Sequence, residues 1–124
     1  MKILLLIFPA LLSAGTLYDT LSDGGVITGY RYLASEISKD VQMQFEVDID
    51  LGGNILKVQI IDAGNEFGEK INTKRFLKRF IGHNASSNLR KKIDGITGAT
   101  YSSDAIIRGC EKALLPWKQP IKSK

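Results

Sequence analysis

The chain has 124 residues, a formal net charge of +4, one cysteine and one histidine. That length suits a single domain with one core. The lone cysteine excludes an internal disulfide, and no His-based metal cluster or His-paired nucleophile can form without His83. The small charge excess, with no recognised motif, argues against nucleic-acid binding.

Met1-Lys2 precedes an uncharged apolar run from Ile3 to Leu12, then the small residues Ser13-Ala14-Gly15. A positive start, an apolar run and a small-residue exit form the pattern of a secretory signal. Spanning a bilayer takes about 20 apolar residues, more than this run supplies. A signal peptide over 1–14 is therefore expected, cleaved after Ala14, with an uncleaved membrane anchor as the other option. The mature domain would cover 15–124, with 41–115 its clearest part, and would be extracytoplasmic, in the periplasm or on the outer face of the membrane. The tail lysines Lys118, Lys122 and Lys124 read as solvated, with a weaker case for attraction to anionic membrane surfaces.

Gly15 to Asp23 has mixed polarity and ends in the turn signal Ser22-Asp23-Gly24-Gly25. Val26 to Leu33 has a strand composition with poor alternation, and Glu36 to Asp40 reads as a loop. From Val41 to Leu51, the apolar Val41, Met43, Phe45, Val47, Ile49 and Leu51 alternate with polar residues. A period of two predicts a strand with one buried and one wet face, as in an antiparallel sheet. Gly52-Gly53-Asn54 supplies a tight hairpin loop. Ile55 to Ile61 returns, with Leu56, Val58 and Ile60 on one face and Lys57 and Gln59 on the other.

Glu66 to Lys70 reads as a Gly-containing connection. Asn72 or Thr73 caps a helix running to about Ile81, where Gly82 stops it. Phe76, Leu77, Phe80 and Ile81 form its apolar stripe, and Lys74, Arg75, Lys78 and Arg79 its solvated basic face. His83 to Ser87 is polar loop, and Asn88 to Ile93 is short and basic. The last helix starts near Ser102 or Ser103, either of which can cap it, with Asp104 in the first turn. Ile106, Cys110, Ala113 and Leu114 recur at helical spacing, which places Cys110 in the core. Pro116 ends the helix, and Trp117 folds back on the core. This order predicts an α+β domain, a small antiparallel sheet with a strand hairpin and two main helices.

Chemistry concentrates at Asp94-Gly95-Ile96-Thr97-Gly98-Ala99-Thr100. A hydroxyl on a Gly-Ala turn at the positive end of a helix is well placed to hold a phosphate, because backbone N–H groups and the helix dipole favour negative charge there. Gly98 and Ala99 let the backbone approach a bulky group closely. Thr100 could also serve only as a helix cap, and Asp94 could cap a turn or neutralise Lys91 and Lys92.

Two separated segments resemble the FMN-binding domain family of extracytoplasmic flavoproteins. Its relatives include the C subunit of the sodium-translocating NADH:quinone reductase and the G subunit of the Rnf electron-transport complex. Gly64-Asn65-Glu66-Phe67-Gly68-Glu69-Lys70-Ile71, with the helix Phe76 to Ile81, is similar to the family's Gly-x-Gly-containing loop and the Phe-rich helix after it. Asp94-x-x-Thr97-Gly98-Ala99-Thr100 matches the family's acceptor motif, Asp-x-x-Ser/Thr-Gly-Ala-Thr, at every defined position.

The resemblance implies FMN esterified through its phosphate to Thr100 by a separate FAD:protein FMN transferase, which cleaves FAD, releases AMP and recognises Asp94. It implies a cofactor site of Thr97, Gly98, Ala99, Thr100, Tyr101 and Ser102, joined by Glu66, Phe67 and Gly68. Glu66 or Phe67 would meet the flavin ring, and Tyr101 is able to stack on it. The loop departs from many relatives, which have Pro or Thr with Leu where this chain has Asn65-Glu66-Phe67. The implied role is electron transfer with membrane-bound or periplasmic redox partners, with no catalytic residue and no metal. Two other classes stay open: a module that holds FMN without a covalent link, and a cofactor-free adaptor docking on a membrane redox complex.

Overall fold

A computed structural model describes residues 18–118. The expected signal peptide over 1–14, and Lys122 and Lys124 of the tail, lie outside the described residues. Four strands, β1 (Tyr18–Asp23), β2 (Val26–Ser38), β3 (Val41–Asp50) and β4 (Ile55–Asp62), form one antiparallel sheet in chain order. Short helices α1 (Glu66–Ile71), α2 (Lys74–Leu77) and α3 (Leu89–Lys92) follow, then the long α4 (Thr100–Ala113). Single 3-10 turns extend α2 over Lys78–Phe80 and follow α4 over Leu115–Trp117. This is the expected α+β class, with β3 and β4 as the hairpin and, among the described residues, only α4 as a long helix.

The period of two in β3 holds for Met43, Phe45, Val47 and Ile49, which are fully buried. Leu51 falls in the turn after the strand and is exposed, and Asp48 on the opposite face is buried against Arg31. Against the apolar face α4 lays Ala105, Ile106, Cys110 and Ala113, mainly across β2. Gly109 makes the approach close, because a Cβ there would stand 2.2 Å from Phe45 Cζ. Burial pushes the Cys110 thiol well up, so it packs as a small apolar side chain and stays inert. Trp117 folds back as expected and donates from Nε1 to Leu51 O at 3.2 Å.

Several expectations need correction. β1 exists where only mixed polarity was visible, and its Tyr18 hydroxyl donates to Ala113 O at 2.7 Å. β2 runs on to Ser38, leaving only Lys39 and Asp40 as the turn instead of a loop from Glu36. Glu36 and Ser38 point to the buried side, which breaks the apolar alternation. Glu36 is tolerated there because Arg108 Nε lies 3.1 Å and Lys112 Nζ 2.8 Å from its carboxylate.

In β4 it is Ile55, not Leu56, that joins Val58 and Ile60 in the core. Leu56 is the extra residue of a bulge between the pairs Asp48–Lys57 and Ile49–Ile55, so it turns outward; Ile61 is the extra residue of a second bulge. The outer edge of β4 meets the segment after α2, where Gly82 N donates to Ile55 O and Ile55 N donates to His83 O, both at 2.8 Å.

Glu66 to Ile71 is helix α1, not a loop. Asn65 caps it, its Oδ1 accepting from Phe67 N at 3.0 Å and Gly68 N at 3.1 Å. Thr73 caps α2, but the backbone tightens after Leu77 and becomes extended at Ile81. Phe76 and Phe80 therefore reach the core and Ile81 does not.

Arg90 of α3 and Arg108 of α4 both pair with Asp104. Burial pushes the Asp104 carboxyl up, but the two guanidinium groups outweigh it and hold the group below its ordinary value. A lowered folded-state value adds stability that is present above the unfolded value, about 3.9, and lost as pH falls through the folded one. Tm measured from pH 6 down to pH 2 is expected to fall across that range. Asp104→Asn should have a lower Tm at pH 6 and a shallower fall.

Candidate functional site

Thr97 and Gly98 form the turn before α4, and Gly98 takes a φ of +85°, a conformation that favours glycine. Ser103 fastens this turn to the helix. Its hydroxyl accepts from Ile96 N at 3.1 Å and donates to Ala99 O at 2.9 Å. Ala99 stands at the N-cap without a side-chain hydrogen bond, and Thr100 is the first helical residue. The helix thus begins earlier than expected, and neither Ser102 nor Ser103 caps it: both are buried within its first turns. The amides of Thr100, Tyr101 and Ser102 belong to the first turn, where the helix offers no carbonyl partner. The Thr100 side chain is exposed beside them.

A cavity of about 480 Å3 opens at this point, a volume within the range of about 300–1,000 Å3 usual for small-molecule sites. Its walls come from three separate stretches: Ser38, Lys39 and Asp40 of the β2–β3 turn, Asn65 and Phe67 at the start of α1, and Gly98 to Ser102. Two exposed aromatic rings line it, Tyr101 at 61% and Phe67 at 45% exposure. A lysine stands over each, with Lys39 Nζ 5.6 Å from the centre of Tyr101 and Lys70 Nζ 5.8 Å from that of Phe67. Lys70 Nζ also lies 3.2 Å from where a Cβ on Gly98 would sit. Neither lysine joins an ion pair among the described residues. Ser38 Oγ and Ser102 Oγ, both buried, are 3.1 Å apart.

Of the residues that the sequence singles out, Gly98, Ala99, Thr100, Tyr101, Ser102 and Phe67 come together on the cavity wall. Thr97 and Glu66 are exposed outside the lining, and Gly68 is buried where a Cβ would meet Ala63 O at 1.9 Å. Asp94 is exposed and also outside it. Its backbone carbonyl accepts from Arg79 Nη1 at 3.2 Å, and its carboxylate pairs with neither Lys91 nor Lys92. The motifs gave no hint of Ser38, Lys39 or Asp40, and Asn65 stood in the quoted loop without being assigned to the site. The available signals were the polar Lys39-Asp40 pair between two strand-like runs, and Asn65 as a helix cap.

Elsewhere, His83 Nδ1 sits 3.1 Å from Ser87 Oγ in its loop. Among the described residues, no group of three or more His, Cys, Asp or Glu is placed to hold a metal ion. A family model described as an FMN-binding domain matches residues 16–115. No curated protein matches the chain.

Proposed function

Because the chain belongs to the FMN-binding domain family, we propose that it holds FMN covalently, as a phosphoester of Thr100, and works as an extracytoplasmic electron carrier. Flavin binding is the part that the family match itself supplies. The covalent reading rests chiefly on one observation: an exposed hydroxyl, Thr100, lies on the wall of a cavity and in the first turn of a long helix.

The residues present fit the group. First-turn amides and two lysines suit a phosphate, while Tyr101 and Phe67 present apolar faces suited to a flat ring. Gly98 leaves open the space beside Lys70 that a side chain would fill. The bound flavin would supply the redox chemistry, with the protein setting its position and electrostatics.

Attachment would proceed on a partner transferase that recognises Asp94. Thr100 Oγ attacks the FMN-side phosphorus of FAD, the Oγ–P bond forms as the pyrophosphate P–O bond breaks, and AMP leaves. The hydroxyl proton passes to the transferase or to solvent. Ser102 and Ser103 do not compete in this reading, since both are buried. The apolar run Ile3 to Leu12 supports export, and with it redox partners in or near a membrane.

Co-production with a flavin transferase and an export pathway tests the proposal. The mature protein should gain the mass of FMN less one water, fluoresce in a denaturing gel and yield a flavinylated peptide containing Thr100. An unmodified mass with a dark band refutes covalent attachment; a yellow native protein with that dark band indicates reversible binding instead.

A further inference from the structure

We propose that Ser38, Lys39 and Lys70, together with Ser102, form a phosphate subsite in this cavity. The inference rests on the FMN reading and assigns the atoms that would receive the anion.

The buried hydroxyl pair points to a missing acceptor. Ser38 is 5% and Ser102 1% exposed, and both line the cavity. Each carries one proton to donate. The 3.1 Å contact between them uses one, and the other has no acceptor among the described residues. A buried donor left without an acceptor is costly, and an oxygen of a phosphate in the cavity would complete the pair.

The lysines point the same way. Lys39 and Lys70 approach from different elements, over Tyr101 and beside Gly98, and among the described residues no carboxylate pairs with either. Asp40 is the one carboxylate on the wall, where Lys39 stands beside it, and Lys70 adds a second cation from just outside the lining, next to Gly98 and Phe67. Lys39 also has a φ of +62°, as the first residue of a two-residue hairpin turn. Glycine is favoured at such a position, and another residue there is strained. Strain retained at the lip of a cavity fits a side chain kept for its charge.

The test uses the full chain made without transferase, so that Thr100 stays unmodified, and compares FMN with riboflavin, which lacks the phosphate. FMN should bind at least tenfold more tightly, and inorganic phosphate should weaken FMN binding but not riboflavin binding. In the double variant Lys39→Ala/Lys70→Ala the FMN advantage over riboflavin should shrink roughly tenfold or more, the scale of a charge-assisted hydrogen bond, with riboflavin affinity changing far less than FMN affinity. Lys39→Gly separates charge from fold: it should raise Tm by relieving the strained φ and still weaken FMN binding. Equal affinity for the two flavins, binding of neither, or a full FMN advantage in the double variant each overturns the subsite. Covalent attachment is read separately, by intact mass, so lysine-dependent FMN binding without a flavinylated Thr100 would sink the covalent proposal and leave the subsite standing.

Discussion

Thr100→Ala is expected to abolish covalent flavin and leave the fold almost untouched. Its intact mass should stay at the unmodified value after co-production with a transferase, and its gel band should be dark. The small structural effect follows from position. The Thr100 side chain is exposed and makes no hydrogen bond among the described residues, and the N-cap is Ala99. Exposed substitutions of this kind change stability by about 0.5 kcal/mol or less, and alanine is the better helix former. Tm should therefore move by no more than about 4 °C. Thr97 is the other exposed hydroxyl of the same turn, so flavin retained in this variant would move the acceptor there and overturn the assignment.

Gly109→Ala should do the reverse, destabilising the whole domain without touching the cavity. Helix propensity alone favours the change by about 1 kcal/mol, because glycine is costly inside a helix. Packing opposes it more strongly. The new methyl would stand 2.2 Å from Phe45 Cζ, 2.6 Å from Phe45 Cε2 and 3.2 Å from Ala34 Cβ. Phe45 and Ala34 are both fully buried and cannot swing into solvent. Overpacking of a tight core costs about 1–3 kcal/mol and sometimes more, and the short contacts put this site at the upper end, so a net loss of up to about 2 kcal/mol is expected, a fall in Tm of up to about 10 °C. A Tm equal to or above wild type, measured calorimetrically, would show that α4 does not seat this closely on the sheet.

The hairpin of β3 and β4 was legible in the sequence because its alternation is unbroken until the bulges, which local periodicity does not register. The far half of β2 was hidden because Glu36 and Ser38 face inward, and only Arg108 and Lys112, distant in the chain, make that orientation tolerable. α1 was masked by Gly68, a poor helix residue present because a Cβ would collide with Ala63 O. The start of α4 was misread because Ser103, an apparent cap, spends its hydroxyl on Ile96 and Ala99 instead. At the cavity, the Thr97 to Ser102 side is one continuous motif and could be read locally. The facing wall could not: Ser38 and Lys39 reach it only through the register of β2 on β3, which no nearby residue encodes.

The two kinks in β4 and the Gly82–His83 strap bear on how this domain meets its neighbours. A continuous, unpaired border strand invites another chain to zip onto it. Here Leu56 and Ile61 interrupt the regular spacing of backbone donors and acceptors, and the strap already occupies those of Ile55. Main-chain annealing along this rim is thereby disfavoured, which leaves side chains as the chief means of contact on that flank.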